Sequence, residues 1–194
     1  MTENEYADKT LAVAEEVAAE CLRAGVECAV IGAMALAAHK YPRATEDFDL
    51  ATNVNPFQQL PAIAEALRHR GHEVELVTPD AEDPLGGVLN ITGNGFGLVQ
   101  VVNYENPFSE RPTPGLAAIQ RATVGLLGSS TLRVVTLPDL VALKLYAGGP
   151  KSRADITELL TRNSPVDLQA IRDACAPCRL GPELESLLNA LGLG

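Results

Sequence analysis

The sequence predicts an α/β core followed by a helical C-terminal half. Three observations predict it. Helical and strand periodicities alternate through the first hundred residues. Two apolar runs are joined by Gly93-Asn94-Gly95, a strong hairpin signal. From Leu137 onward the apolar residues recur only at helical spacing. With 194 residues, 46% hydrophobic and 21% charged, the chain can fill a core without disulfides or a structural metal.

The elements follow in order. Residues 3–24 carry Leu11, Val13, Ala14, Val17, Ala18 and Leu22 at helical spacing, with Gly25 as the stop. VECAVI (26–31) reads as a short buried strand. Gly32 then opens a second helix, AMALAAHKY, closed by Pro42, and EDFDLA (46–51) alternates as a strand should. Asn55-Pro56 starts a third helix that runs to about Arg70, with Gly71 past its end. HEVELVT, GGVLNIT and FGLVQVVNY are three further strands. PTPGLAAIQRAT is a short helix, and VGLLGSSTLRVVT gives two short strands around a Gly-Ser-Ser turn. A helix begins at Leu137-Pro138-Asp139 and ends near Tyr146 before Gly148-Gly149-Pro150; others follow at about 151–162, 166–176 and 182–191. The expected division is a core over 1–136 and a helical segment over 137–194 packed on it.

The net charge is −10, which argues against a general binder of nucleic acid or of an anionic membrane surface. The charge is uneven. Residues 1–20 hold six acids and one lysine, whereas residues 111–162 hold seven Lys/Arg and three acids. No segment reads as a membrane span. The acidic start MTENEYADKT lacks the basic and then apolar character of a secretory signal, so a cytoplasmic protein is expected. Cys175-Ala-Pro-Cys178 has CxxC spacing but lies in a helical pattern with no βαβ unit before it, and is read as structural.

The chemistry concentrates in residues 29–50, AVIGAMALAAHKYPRATEDFDL. Asp47 and Asp49 are two apart on a strand, so both carboxylates share a face while Phe48 and Leu50 take the other. Adjacent carboxylates repel unless a cation lies between them, and hard oxygen ligands make Mg²⁺ or Mn²⁺ the natural one. Upstream, Gly32 and Ala33 form a small-residue turn into a helix, a place that suits phosphate. Arg43 and Thr45 add a cation and a hydroxyl beside the acids.

The string Gly32-Ala33 … Arg43-x-Thr45-x-Asp47-Phe48-Asp49-Leu50 resembles the nucleotidyltransferase superfamily with the DNA polymerase β-like fold. Its nearest likeness is to the AbiEii/AbiGii toxin-like bacterial nucleotidyltransferases. A second block fits the same group: Leu137 to Ala147 with Lys144, then Lys151-x-Arg153-x-Asp155-Ile156. The resemblance spans roughly residues 10–162. It implies a mixed β-sheet flanked by helices, with a helical C-terminal segment. It further implies an NTP on the Gly32 turn, Mg²⁺ (or Mn²⁺) bridging it to Asp47 and Asp49, and Lys144 near the triphosphate. Asp155 is expected to orient Lys144 or an acceptor hydroxyl. Lys144 also stands out unaided, as a charge inside the apolar face VALKLYA.

The implied reaction moves a nucleoside monophosphate to a tRNA 3′ end, a protein hydroxyl or a small molecule. An antitoxin partner follows from the toxin-like branch. Two departures favour an alternative, a catalytically degenerate module that binds nucleotide or protein. Many superfamily members carry a third carboxylate on a neighbouring strand, and Leu98-Val99-Gln100-Val101-Val102 puts Gln100 there. An amide cannot act as a general base. Glu73 or Glu75 are candidate substitutes for the missing acid. Ala33 replaces the usual Gly or Ser. His39, four residues before Arg43, is expected near the nucleotide, whereas His69 and His72 suit a helix C-terminus.

Overall fold

The computed structural model describes residues 2–45, 47–129 and 131–194. The fold is a mixed β-sheet flanked by helices, with a helical C-terminal segment. Helix α1 (Glu3–Arg23) opens with a capping box, in which the Thr2 hydroxyl accepts from the Glu5 amide and the Glu5 carboxylate accepts from the Thr2 amide. Strand β1 (Ala29–Val30) leads through Ile31 into α2 (Gly32–Ala38). Then come β2 (Asp47–Thr52), α3 (Gln59–His69), β3 (Glu73–Val77), β4 (Val88–Thr92) and β5 (Leu98–Asn103). Helix α4 (Gly115–Arg121), β6 (Val124–Gly125) and β7 (Arg133–Val134) precede four helices. These are α5 (Leu137–Ala147), α6 (Gly149–Arg162), α7 (Leu168–Cys175) and α8 (Gly181–Ala190).

The seven strands lie in the order β3-β4-β5-β2-β1-β7-β6. The β4–β5 hairpin is antiparallel, β5 runs parallel to β2, and β1 pairs antiparallel with β2 and parallel with β7. Alternation sorts the side chains. Phe48, Leu50, Val99, Val101, Leu89 and Ile91 are buried, and α1 contacts β2 and β5 while α3 contacts β3. On α3 the buried residues Leu60, Ile63, Ala64 and Leu67 recur at helical spacing.

Several sequence expectations are corrected in extent. The strand expected over 26–31 reduces to two residues, because only Ala29 and Val30 have register partners. The segment expected as two short strands around a turn gives two-residue strands and a single 3₁₀ turn at Leu126–Gly128. Glu46 of the expected 46–51 strand and Ser130 of the expected Gly-Ser-Ser turn lie outside the described residues. Helix α3 starts at Gln59, because the Asn55 side chain first accepts from the Phe57 amide in a turn.

Two asparagines hold the long connections. Buried Asn103 donates to the carbonyls of Val54, Gly86 and Glu105 and accepts from the Val54 amide. Asn106 donates to the carbonyls of Asp80, Asp83 and Leu85. All four cysteines are unpaired and buried. Burial pushes the Cys175 thiol up to about 12 and raises Cys178 as well, so neither is a ready nucleophile. No described helix is long and apolar enough to cross a membrane.

Candidate active site

The site begins where β1 turns into α2. The Ile31 amide donates to the Asp49 carbonyl at 3.0 Å, and Gly32 follows with φ +61°. A side chain at 32 would run into the Asp49 carboxylate, so only glycine lets the helix start this close to β2. That contact is the physical reason for the Gly32 and Asp49 pairing. Ala33 is buried in the first turn of α2.

Asp47 is exposed at the start of β2, and Asp49 is half-buried two residues on. Burial pushes the Asp49 carboxyl above its ordinary value, and the charge of Asp47 pushes it further. Lys144, then Arg43 and Lys151, pull it back. The Thr45 hydroxyl accepts from the Asp47 amide at 3.3 Å, ordering the entry to the strand.

The cations arrive from elsewhere. Lys144 Nζ lies 2.6 Å from Asp155 Oδ2, joining α5 to α6. The corner between these helices is Gly148-Gly149, at φ +71° and +82°, a backbone that other residues rarely adopt. Arg43 Nε approaches Asp155 Oδ1 at 3.6 Å, is buried, and has no hydrogen-bond partner. Asp155 is itself buried and touches both cations. Helix α5 is anchored at its start, where the Thr136 hydroxyl accepts from the Asp139 amide and Arg121 pairs with the buried Asp139 carboxylate.

Gln100 is the register partner of Asp49 on β5, and Asn90 on β4 is the partner of Gln100. Glu75 on β3 continues the row as the partner of Asn90. Two strands therefore lie between Glu75 and Gln100's neighbour Asp49, and Glu75 does not substitute directly for an acid at position 100. Glu73 pairs with Thr92, outside this row. Among the described residues, no three of His, Cys, Asp and Glu cluster closely enough to hold a metal ion.

His39 is not brought to the carboxylates. It sits at the opposite end of α2 from Gly32, where its Nε2 is 2.8 Å from the Val135 carbonyl oxygen. His69 and His72 face Glu65 and Glu16. Sequence reasoning missed Tyr104, whose buried phenol is pushed up first by burial and then by the charge of Asp49. It also missed Asn90. Beside Asp47 a cavity of about 480 Å³ opens, walled by Tyr6, Leu11, Met34, Phe48 and Leu127, with Asp8 and Thr45 at its edge.

No protein-family model matches the chain, and no curated protein does. Solved structures do. The solution structure of the antibiotic-resistance factor ANT(2'')-Ia aligns over 95% of each chain at 16% identity, with TM-score 0.55. The crystal structure of ANT(2'')-Ia in complex with adenylyl-2''-tobramycin aligns over 88% of this chain and 97% of that one, at 17% identity and TM-score 0.55. An antigenic nucleotidyltransferase-like protein from Paracoccidioides brasiliensis aligns over 94% and 93%, at 18% identity and TM-score 0.52. The chain has a nucleotidyltransferase-like fold. On that fold, Asp47 and Asp49 stand on a central strand beside the glycine turn, with Lys144 of α5 and Lys151 of α6 acting on Asp49.

Proposed function

We propose that this chain is a divalent-metal-dependent nucleotidyltransferase that moves a nucleoside monophosphate from an NTP to an acceptor and releases pyrophosphate. The observation that carries the proposal is the convergence of two like-charged carboxylates, a side-chain-free glycine turn and three cations around Asp49 on the central strand β2. The donor set fits Mg²⁺ or Mn²⁺. Asp47 raises the Asp49 carboxyl, a repulsion that a cation relieves, and the Asp49 carboxylate packs against the glycine turn in the space a side chain at 32 would take. When bound, such an ion neutralises phosphate charge and holds the reacting oxygens in line.

The chain's own residues supply the rest. Lys144 acts as a point charge on the triphosphate, and Asp155 fixes its ammonium. Arg43 carries a buried, unpartnered Nε, a donor poised for an anion. Gly32 and Ala33 form the turn against which the phosphates rest. Thr45 orders the strand that holds the carboxylates.

For the acceptor we propose a small, hydroxyl-bearing and preferably cationic molecule. The net charge of −10 and the six acids of residues 1–20 disfavour a long RNA, and Asp8 and Asp47 border the cavity. The adenylyl-tobramycin held by ANT(2'')-Ia supports the same class. A role as the toxin of a toxin–antitoxin pair rests on the AbiEii/AbiGii-like residue strings alone. Incubation with each labelled NTP, Mg²⁺ and a panel of amino sugars tests the reading. Transfer with pyrophosphate release is expected, lost in Asp49→Asn; equal transfer by that variant overturns it. The second reading, a nucleotide-binding module without turnover, is favoured by the amide at Gln100. It predicts metal-dependent NTP binding with no pyrophosphate release for any acceptor.

A further inference from the structure

The polar row that crosses four strands has a defined electrical direction. Asn90 Nδ2 donates to Glu75 Oε2 at 2.9 Å, and Gln100 Nε2 donates to Asn90 Oδ1 at 2.7 Å. The direction is set at its outer end. An ionised carboxylate can only accept, so Glu75 must face the NH₂ group of Asn90. Asn90 then presents its oxygen to β5, and Gln100 must answer with its nitrogen. With its nitrogen engaged by Asn90, the Gln100 amide keeps a carbonyl oxygen that the row does not use, and Asp49 on β2 is the register partner of Gln100. The hydrogen bonds to Glu75 and Asn90 fix the orientation of both amides, and the carboxylate of Asp49 at the inner end makes a cation the natural neighbour of the remaining oxygen.

We propose that Glu75, Asn90 and Gln100 form a polarity relay that presents the Gln100 carbonyl oxygen as a ligand to a divalent cation held by Asp47 and Asp49. The inference rests on the metal-binding reading of those two carboxylates. A neutral, hard oxygen suits Mg²⁺ or Mn²⁺ and adds a ligand without a third negative charge on a face already strained by two. The reversed amide would point N–H donors at the ion and repel it. Gln100 is thus the ligand, and Asn90 and Glu75 are positioning residues acting through it.

Glu75 is exposed and separated from Asp49 by two intervening strands, so it can be changed without touching the carboxylates. In Glu75→Lys the ammonium would donate to Asn90 Oδ1 and turn both amides over. Glu73→Lys makes the same charge change on the same face of β3, outside the row. The experiment is titration of the full chain with Mn²⁺ alone, following the free-ion paramagnetic resonance signal. Glu75→Lys is expected to weaken Mn²⁺ binding about tenfold more than Glu73→Lys, in line with the effect of losing a supporting hydrogen bond behind a metal ligand. Glu75→Gln, which can still accept from Asn90, should stay close to the unaltered chain. Equal weakening by Glu75→Lys and Glu73→Lys would overturn the relay and leave the metal site standing. No Mn²⁺ uptake by the unaltered chain would overturn the metal reading itself, and the relay with it.

Discussion

Asp49 carries a cost that the proposed activity explains. Its carboxyl is raised by burial and by Asp47, so the folded chain binds a proton there at pH values where the unfolded chain has released it. Stability therefore falls as pH rises from the ordinary carboxylate value through the raised one. Above that raised value the metal-free protein holds an ionised, partly desolvated carboxylate beside Asp47. Asp49→Asn is expected to raise the metal-free melting temperature by about 2–4 °C, for roughly 1 kcal/mol. Mn²⁺ should stabilise the unaltered chain and not the variant, as differential scanning calorimetry would record. Gly32→Ala tests the neighbouring contact. Its positive φ costs about 1–2 kcal/mol, and its new methyl group also displaces the Asp49 carboxylate. Gly25→Ala is the control: φ is +72°, with open space around it. Gly32→Ala should lose more stability than Gly25→Ala, and it alone should lose Mn²⁺ binding. These two residues were legible in the sequence because their chemistry is local, a glycine at a strand–helix turn and two carboxylates two apart.

At the level of elements, the site depends on a corner. Gly148 and Gly149 reverse the chain so that Lys144 on α5 meets Asp155 on α6, and the pair is almost fully buried. Removing Asp155 leaves Lys144 and Arg43 without their shared carboxylate, and removing Lys144 leaves Asp155 with Arg43 alone. Lys144→Met and Asp155→Asn should each cost about 3 kcal/mol, a fall of about 6–12 °C in melting temperature. The double variant should cost less than the sum, because Lys144 and Asp155 are then removed together and only Arg43 loses a carboxylate. A thermal double-mutant cycle measures this, and additive losses would show the two residues to be independent. The basic stretch and the apolar setting of Lys144 were legible; its partner geometry was not, because it depends on how two helices meet. Strand lengths were also poorly legible. β1, β6 and β7 persist for two residues each, where neighbouring strands, not local propensity, decide how far pairing runs. The Glu75, Asn90 and Gln100 row escaped for the same reason, since register across four strands is set by tertiary pairing. The Arg121 and Asp139 pair that anchors α5 is equally non-local.

Across the whole molecule, one apolar core runs from Val13 on α1 to Leu188 on α8, taking in Leu140, Leu143 and Tyr146 of α5. The segment 137–194 should consequently not melt by itself. Near- and far-ultraviolet circular dichroism should report one coincident transition, and separate transitions would mark an independent C-terminal unit. The charge distribution works at the same scale. A net charge of −10 coexists with Arg43, Lys144 and Lys151 acting on Asp49, and on the proposed function these cations would offset the charge of a triphosphate. The α/β class, the order of elements and the hairpin at Gly93-Asn94-Gly95 were all legible, because each is written in periodicity and turn residues. The most direct test of the account is calorimetric titration with a nonhydrolysable NTP, with and without Mn²⁺, for the unaltered chain and Asp49→Asn. The account predicts binding that requires Mn²⁺ and disappears in the variant. Nucleotide binding that is equal in the two proteins, or indifferent to Mn²⁺, would contradict it.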